Sequence, residues 1–287
     1  MKRPVLGYVK DRDIVGVRNL TREEFIAFEK SYDEINKYME SGALFAVALL
    51  NHDDFSKALR EHLSALRETQ DVGKHNLDQV VLDLNRRILN YLCSVRTFLD
   101  HNETDISRSR GEPELKYFKD ICANHYDNSF AYRFLYKLRN YVQHCGMPVG
   151  NLIIESEKDS KSKSGKKVTV SLVIDRDKLL SRFDGWNAQL KKELSALPPY
   201  FDVAPLLEEM MFRLGDIYFS LTEMLFPSVK SKAELIIQLV EEISVNECRV
   251  VIFDYVENTE TSSQLTFKEI PLQQANWVLE DLEKLNP

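Results

Sequence analysis

Nine apolar residues, Leu77, Val80, Val81, Leu84, Ile88, Tyr91, Leu92, Val95 and Leu99, recur at intervals of three and four in one stretch of the chain. On a helix they form a single stripe about 100° wide. The spacing predicts a helix from about Asn76 to Asp100, too long to stand alone with one greasy face, so partner helices must lie beside it. A second stretch of the same kind, with Leu206, Leu207, Met210, Met211, Leu214, Ile217, Tyr218, Leu221 and Leu225 apolar, predicts a helix over 203–225 that Pro227 closes. Between them, two shorter helices are expected at 113–124 and 129–144, the second capped by Asp127-Asn128-Ser129 and ended by Gly146 and Pro148. The simplest packing is a four-helix bundle.

The flanks read differently. Residues 3–18 alternate enough for one or two short strands. Thr21 followed by Glu23 and Glu24 marks a helix start, with a stop expected near Gly42. The run Ala43–Leu50 carries no period, and Asp53 with Asp54 suggests a fresh helix through about Glu68. Segment 102–113 is polar and ends in Gly111 and Pro113, which reads as a loop. Asn151–Ser156 and Lys167–Ile174 read as a hairpin around a basic, Ser-rich tip that includes Lys158, Lys161 and Lys163. A pair of helices over 176–196 follows. The stretch 229–287 reads as helix, strand, strand, helix, and its strands are candidates to pair with those at 3–18. The expected fold class is mostly α, of the α+β kind. The expected segments are 1–72 (α/β), 73–226 (helical bundle with the hairpin inserted at about 151–175) and 227–287 (an α/β appendage).

A net charge of −7 argues against broad non-specific grip on nucleic acid, so any such contact is expected to be local. No apolar run reaches the roughly 20 residues that span a bilayer, and Met-Lys-Arg-Pro opens no signal-peptide core. A soluble, cytoplasmic protein without membrane contact is expected. Cys93, Cys122, Cys145 and Cys248 are scattered, with neither Cys-x-x-Cys nor a paired His spacing, so they read as free thiols. No metal or other cofactor is expected. Glu208-Glu209 and Glu241-Glu242 lack metal spacing and read as solvated helix faces.

One helix end carries residues suited to chemistry. Spaced at about 100° per residue, Phe130, Phe134, Leu138, Tyr141 and Cys145 form a core stripe on helix 129–144. Tyr136, Asn140 and His144 form a second row away from it. Arg139 and His144 point about 140° apart on an ideal helix, so one chain alone does not bring them together. Cys145 diverges from His144 by about 100°, which rules out a thiol–imidazole pair between these neighbours.

The run Arg139-Asn140-Tyr141-Val142-Gln143-His144, at the end of a bundle helix, resembles the motif of the HEPN superfamily, in which Arg is followed after four to six residues by His, often with Asn directly after the Arg. The resemblance covers roughly 73–226 and is most specific over 128–150. Arg96 and His101 repeat the spacing without the Asn, and they read as surface or interhelix residues. Requiring the Asn leaves only Arg139.

The resemblance implies a metal-independent endoribonuclease of the toxin or phage-defence type, cutting RNA by attack of the 2′-hydroxyl. It also implies a homodimer that joins two motifs in one cleft. His144 would act as general acid or base, Arg139 would bind the phosphate, and Asn140 would orient them. Imidazole, titrating near about 6.5, suits either proton transfer, and a planar guanidinium can meet the charge gathered on phosphorus. Tyr136 and Tyr132 would face outward, able to stack on a base or to pack in an interface, and Lys158, Lys161 and Lys163 would guide phosphates. RNA, a second copy of the chain and an antitoxin or inhibitory protein are the expected partners. The competing reading is a catalytically inactive HEPN-like module for dimerisation or partner binding. A nucleotidyl-group binder, a third class, lacks a Gly-rich phosphate loop.

Overall fold

The computed structural model describes residues 4–11, 13–68, 77–158, 166–243, 249–258 and 263–285. The described residues form eight helices and seven strands, with two small antiparallel sheets. The chain is mostly helical, and it divides into two compact units: Met1–Gly42 with Thr222–Pro287, and Ala43–Leu221. This partition differs from the segments expected at 72 and 226, because each of two long helices contributes to both units.

The first unit contains strands β1 (Val5–Lys10) and β2 (Asp13–Asn19) and the start of helix α1 (Arg22–Glu68). It also holds the last part of helix α7 (Ala204–Leu239), strands β6 (Arg249–Asn258) and β7 (Ser263–Glu269), and helix α8 (Leu272–Leu285). The sheet order is β2-β1-β6-β7, so the early and late strands do pair, Val5 lying opposite Phe253. The start of α1 is closed by a reciprocal cap. The Thr21 hydroxyl accepts from the Glu24 amide at 3.1 Å, and the Glu24 carboxylate accepts from the Thr21 amide at 2.7 Å. Leu6, Phe28, Ile35, Ile236, Val251 and Ala275 are buried in this unit's core.

The second unit continues α1 and adds helices α2 (Leu77–Ser109), α3 (Glu112–Asn128) and α4 (Phe130–His144). Strands β3 (Asn151–Lys158) and β4 (Lys166–Asp175) follow, then helices α5 (Arg176–Arg182) and α6 (Ala188–Ala196) and strand β5 (Tyr200–Asp202). The first part of α7 completes the unit, and its sheet has the order β3-β4-β5. The α2 stripe is buried as its period requires, with Leu84, Ile88 and Phe98 fully enclosed. Helices α2, α3 and α4 pack on one another. From α7, Leu207 accepts a hydrogen bond from the Tyr91 hydroxyl at 3.3 Å. The α1 segment joins them too: Phe45 stacks on Tyr218 at 4.2 Å between centroids and meets Phe98 edge-on at 6.0 Å. The bundle therefore holds α1 as well as the four helices expected.

Four expected breaks do not occur. Gly42 does not stop α1, since one helical glycine costs only about 1 kcal/mol and the flanking Ala, Leu and Glu favour helix. Asp53 and Asp54, read as a new start, are exposed on that same helix. The polar segment 102–113 is not a loop. Asn102 and Ile106 are buried and carry the α2 stripe onward to Ser109, while the polar residues around them face water. Pro227 sits inside α7 rather than at its end. Both Pro227 and Glu223 are exposed, so the carbonyl that loses its amide partner can turn to solvent. The helices expected over 176–196 form as a pair, parted where Trp186 is buried and donates to the Leu179 carbonyl at 3.1 Å and where Asn187 caps α6. The strand at Tyr200–Asp202, after Pro198-Pro199, was too short to read as a strand.

Candidate functional site

Helix α4 begins where Ser129 interrupts an otherwise continuous run from α3. Its hydroxyl accepts from the Tyr132 amide at 3.1 Å and donates to the Glu209 carboxylate of α7 at 2.7 Å. The core stripe then fixes the helix's rotation. Phe134 packs against Trp186 and Phe201, with centroids 5.9 and 5.8 Å away, and Tyr141 against Phe183 and Trp186. Phe134, Leu138 and Tyr141 are buried, while Phe130 and Cys145 are half-buried.

The far end of α4 is held as firmly. The Cys145 amide donates to the Tyr141 carbonyl at 2.7 Å, and Gly146 adopts φ of +134°, a region that favours glycine. Three residues on, buried Asn85 of α2 grips both backbone groups of Val149. Its amide nitrogen donates to the Val149 carbonyl at 2.8 Å, and its oxygen accepts from the Val149 amide at 3.1 Å. The chain leaving α4 is thus clamped to α2 before it enters β3.

Rotation and clamp together place the motif. His144 is exposed and Asn140 half-buried. Among the described residues, no side-chain hydrogen bond or ion pair engages either, and none joins the two side chains to each other. Arg139 is half-buried, and its Nε is enclosed without a hydrogen-bond partner. The motif residues share the last turns of one helix, and no contact between Arg139 and His144 closes within the chain.

The other expected residues fare unevenly. Tyr132 does not face outward: it is fully buried, and burial drives its hydroxyl pKa well above the ordinary value. It is therefore removed as a base-stacking residue. Tyr136 is half-buried, stacked on Tyr132 at 6.3 Å, edge-on to Tyr126, and covered by the Arg96 guanidinium at 4.6 Å. Its ring is already occupied by neighbours. Arg96 also donates to Asp100 at 2.7 Å, and His101 is exposed on α2. Lys158 ends β3, and Lys161 and Lys163 lie outside the described residues. Cys93 is exposed. Burial, with the charge of Glu103, pushes the Cys122 thiol up to about 12, which leaves it inert as a nucleophile. The Cys145 thiol lies 3.2 Å from the Arg182 carbonyl.

Sequence reasoning missed Arg133, a buried cation in the aromatic half of α4. Its guanidinium donates to both carboxylate oxygens of Glu193 on α6, at 2.6 and 3.2 Å, and to the Tyr126 carbonyl. The signal was present: Phe-Ala-Tyr-Arg-Phe-Leu-Tyr sets one charge in an apolar run, and such a charge needs a partner.

Among the described residues, no group of three or more His, Cys, Asp or Glu side chains is placed to hold a metal ion, and no helix is long and apolar enough to cross a membrane. No protein-family model, curated protein or solved structure matches the chain.

Proposed function

We propose that this chain is a metal-independent endoribonuclease of the HEPN kind, whose site forms when two copies bring the ends of their α4 helices together. The observation that carries the reading is the state of the motif. The Asn140 and His144 side chains stand at a clamped helix end with no hydrogen bond among the described residues, beside an Arg139 whose buried Nε lacks a partner. An enclosed guanidinium nitrogen without a partner is costly, and a phosphate oxygen or a group of the second copy would relieve that cost.

In the proposed step, the His144 imidazole of one copy takes the proton from the RNA 2′-hydroxyl. That oxygen bonds to phosphorus, and the bond to the 5′-oxygen breaks. An imidazolium, supplied by the second copy, protonates the leaving oxygen. Arg139 meets the charge on the non-bridging oxygens, and Asn140 orients the imidazole or the phosphate. The products carry 2′,3′-cyclic phosphate and 5′-hydroxyl ends.

The test is cleavage of a mixed RNA pool in excess EDTA, with the ends identified chemically. The expected result is cutting that survives the chelator, and a His144→Ala variant slowed by about 100-fold or more. Equal cutting by wild type and His144→Ala would take His144 out of the mechanism. A partner-binding module without turnover is the second reading. The net charge of −7, which disfavours a polyanion, supports it.

A further inference from the structure

Within the second unit, α1 and α7 leave an open trough of about 490 Å³ between them. Phe45, stacked on Tyr218, lies at its base. Leu49 and Phe212 line it at 40% and 65% exposure, high values for large apolar side chains sharing one surface. Gly215 lies between Phe212 and the half-exposed Phe219 along one face of α7, the three spaced by three and four residues. A Cβ added at Gly215 would meet nothing within 4 Å. A glycine there weakens the helix relative to alanine, and it leaves this part of the trough's lining bare for an approaching side chain.

Three carboxylates line the trough, Asp53 of α1 and Glu208 and Asp216 of α7, together with His52, whose Nδ1 is 3.7 Å from Asp53. Arg213, with its guanidinium 5.7 Å from the Phe212 ring, leans toward Glu209 at 3.7 Å. A second copy of the chain suits this surface poorly, because twofold pairing would set the three carboxylates against their own images. A helix with apolar residues at three- and four-residue spacing and cationic flanks matches both the apolar side chains and the carboxylates of this lining.

We propose that the α1–α7 trough docks an amphipathic helix of another protein, whose apolar ridge lies over Gly215 between Leu49 and Phe212 and whose lysines or arginines meet Asp53, Glu208 and Asp216. This surface is built without Arg139, Asn140 or His144, so the inference stands apart from the nuclease reading.

The test titrates the full chain into fluorescein-labelled synthetic helices, followed by anisotropy. One is a leucine- and tryptophan-ridged peptide with lysine flanks, and the other is the same ridge with glutamate flanks. The basic peptide is expected to bind saturably, at least about tenfold tighter than the acidic one, and to weaken as salt rises. Gly215→Trp, which fills the bare part of the lining, should weaken it by a further factor of about ten or more with no loss in the urea midpoint. Should that variant fold poorly, Phe212→Ser removes an exposed ring and serves the same purpose. Asp53→Lys combined with Glu208→Lys should invert the preference between the two peptides. No saturable binding, equal binding of both peptides, or binding indifferent to Gly215→Trp and Phe212→Ser would overturn the proposal. So would self-association in sedimentation that Gly215→Trp abolishes, which would identify the occupant as a second copy.

Discussion

Two arginines six positions apart on α4 illustrate how much a helical wheel can and cannot say. The wheel turns Arg139 away from His144, and in the structure Arg139 is half-buried while His144 is exposed. At Arg133 the lone charge in an apolar run is visible, but its partner Glu193 lies far along the chain, where no local pattern reveals it. With its guanidinium shared between that carboxylate and the Tyr126 carbonyl, Arg133→Met should cost about 3 kcal/mol, since breaking a buried pair strands the remaining charge. Urea denaturation of the variant gives the value. Replacing Glu193 by Leu in the same molecule should recover part of the loss, as an apolar pair strands no charge. Tyr132 failed on similar grounds. It was assigned to the outward row from α4 alone, whereas α3 packs over that side and encloses it.

At the scale of elements, a clasp between α1 and α2 is set by Asp83. Its carboxylate takes hydrogen bonds from Arg86 at 2.7 Å and Arg87 at 2.9 Å and lies 3.4 Å from His62. Arg87 in turn is paired with Asp54. Burial alone would raise the Asp83 pKa, but the bonds from Arg86, Arg87 and His62 outweigh it and hold the group at about 2. A carboxyl depressed in the folded state adds stability that is complete above its ordinary value of 3.8 and is lost as pH falls to about 2. The urea midpoint should therefore drop across that window, and the difference between wild type and Asp83→Asn should shrink toward zero as it does. Elements that bury one stripe were legible in the sequence: α2, α4 and the first part of α7. Helix α1 was not, because Phe28 and Ile35 are out of phase with Ala48, Phe55 and Leu66, so no single period runs its length. Gly42 and the Asp53-Asp54 pair then looked like punctuation.

For the whole molecule, the nuclease reading stands or falls on assembly. An imidazole and a guanidinium that diverge on one helix need a second helix to meet. Sedimentation at increasing concentration is expected to show a twofold species, and crosslinking through a cysteine introduced at exposed Gln143 should join two α4 ends. A chain that stays monomeric across the concentrations at which RNA is cut would sink that reading. The candidate site is legible as a set of residues, since Arg139, Asn140 and His144 fall within six positions. The second copy that the nuclease reading requires leaves no pattern in the sequence. The pairing of β1 with β6, by contrast, agrees with the expectation that the terminal strands join each other.

That same pairing imposes an order in time. The second unit is a single uninterrupted stretch, Ala43–Leu221, whereas the sheet of the first is stitched from strands on either side of it. During synthesis at roughly 5–20 residues per second, β1 and β2 must wait on the order of 10 to 40 s for that stretch to be made before β6 emerges. Throughout that interval β1, which lies between β2 and β6 in the finished sheet, has one open edge. The growing chain thus carries a strand paired on one side only while its helical half is already free to close.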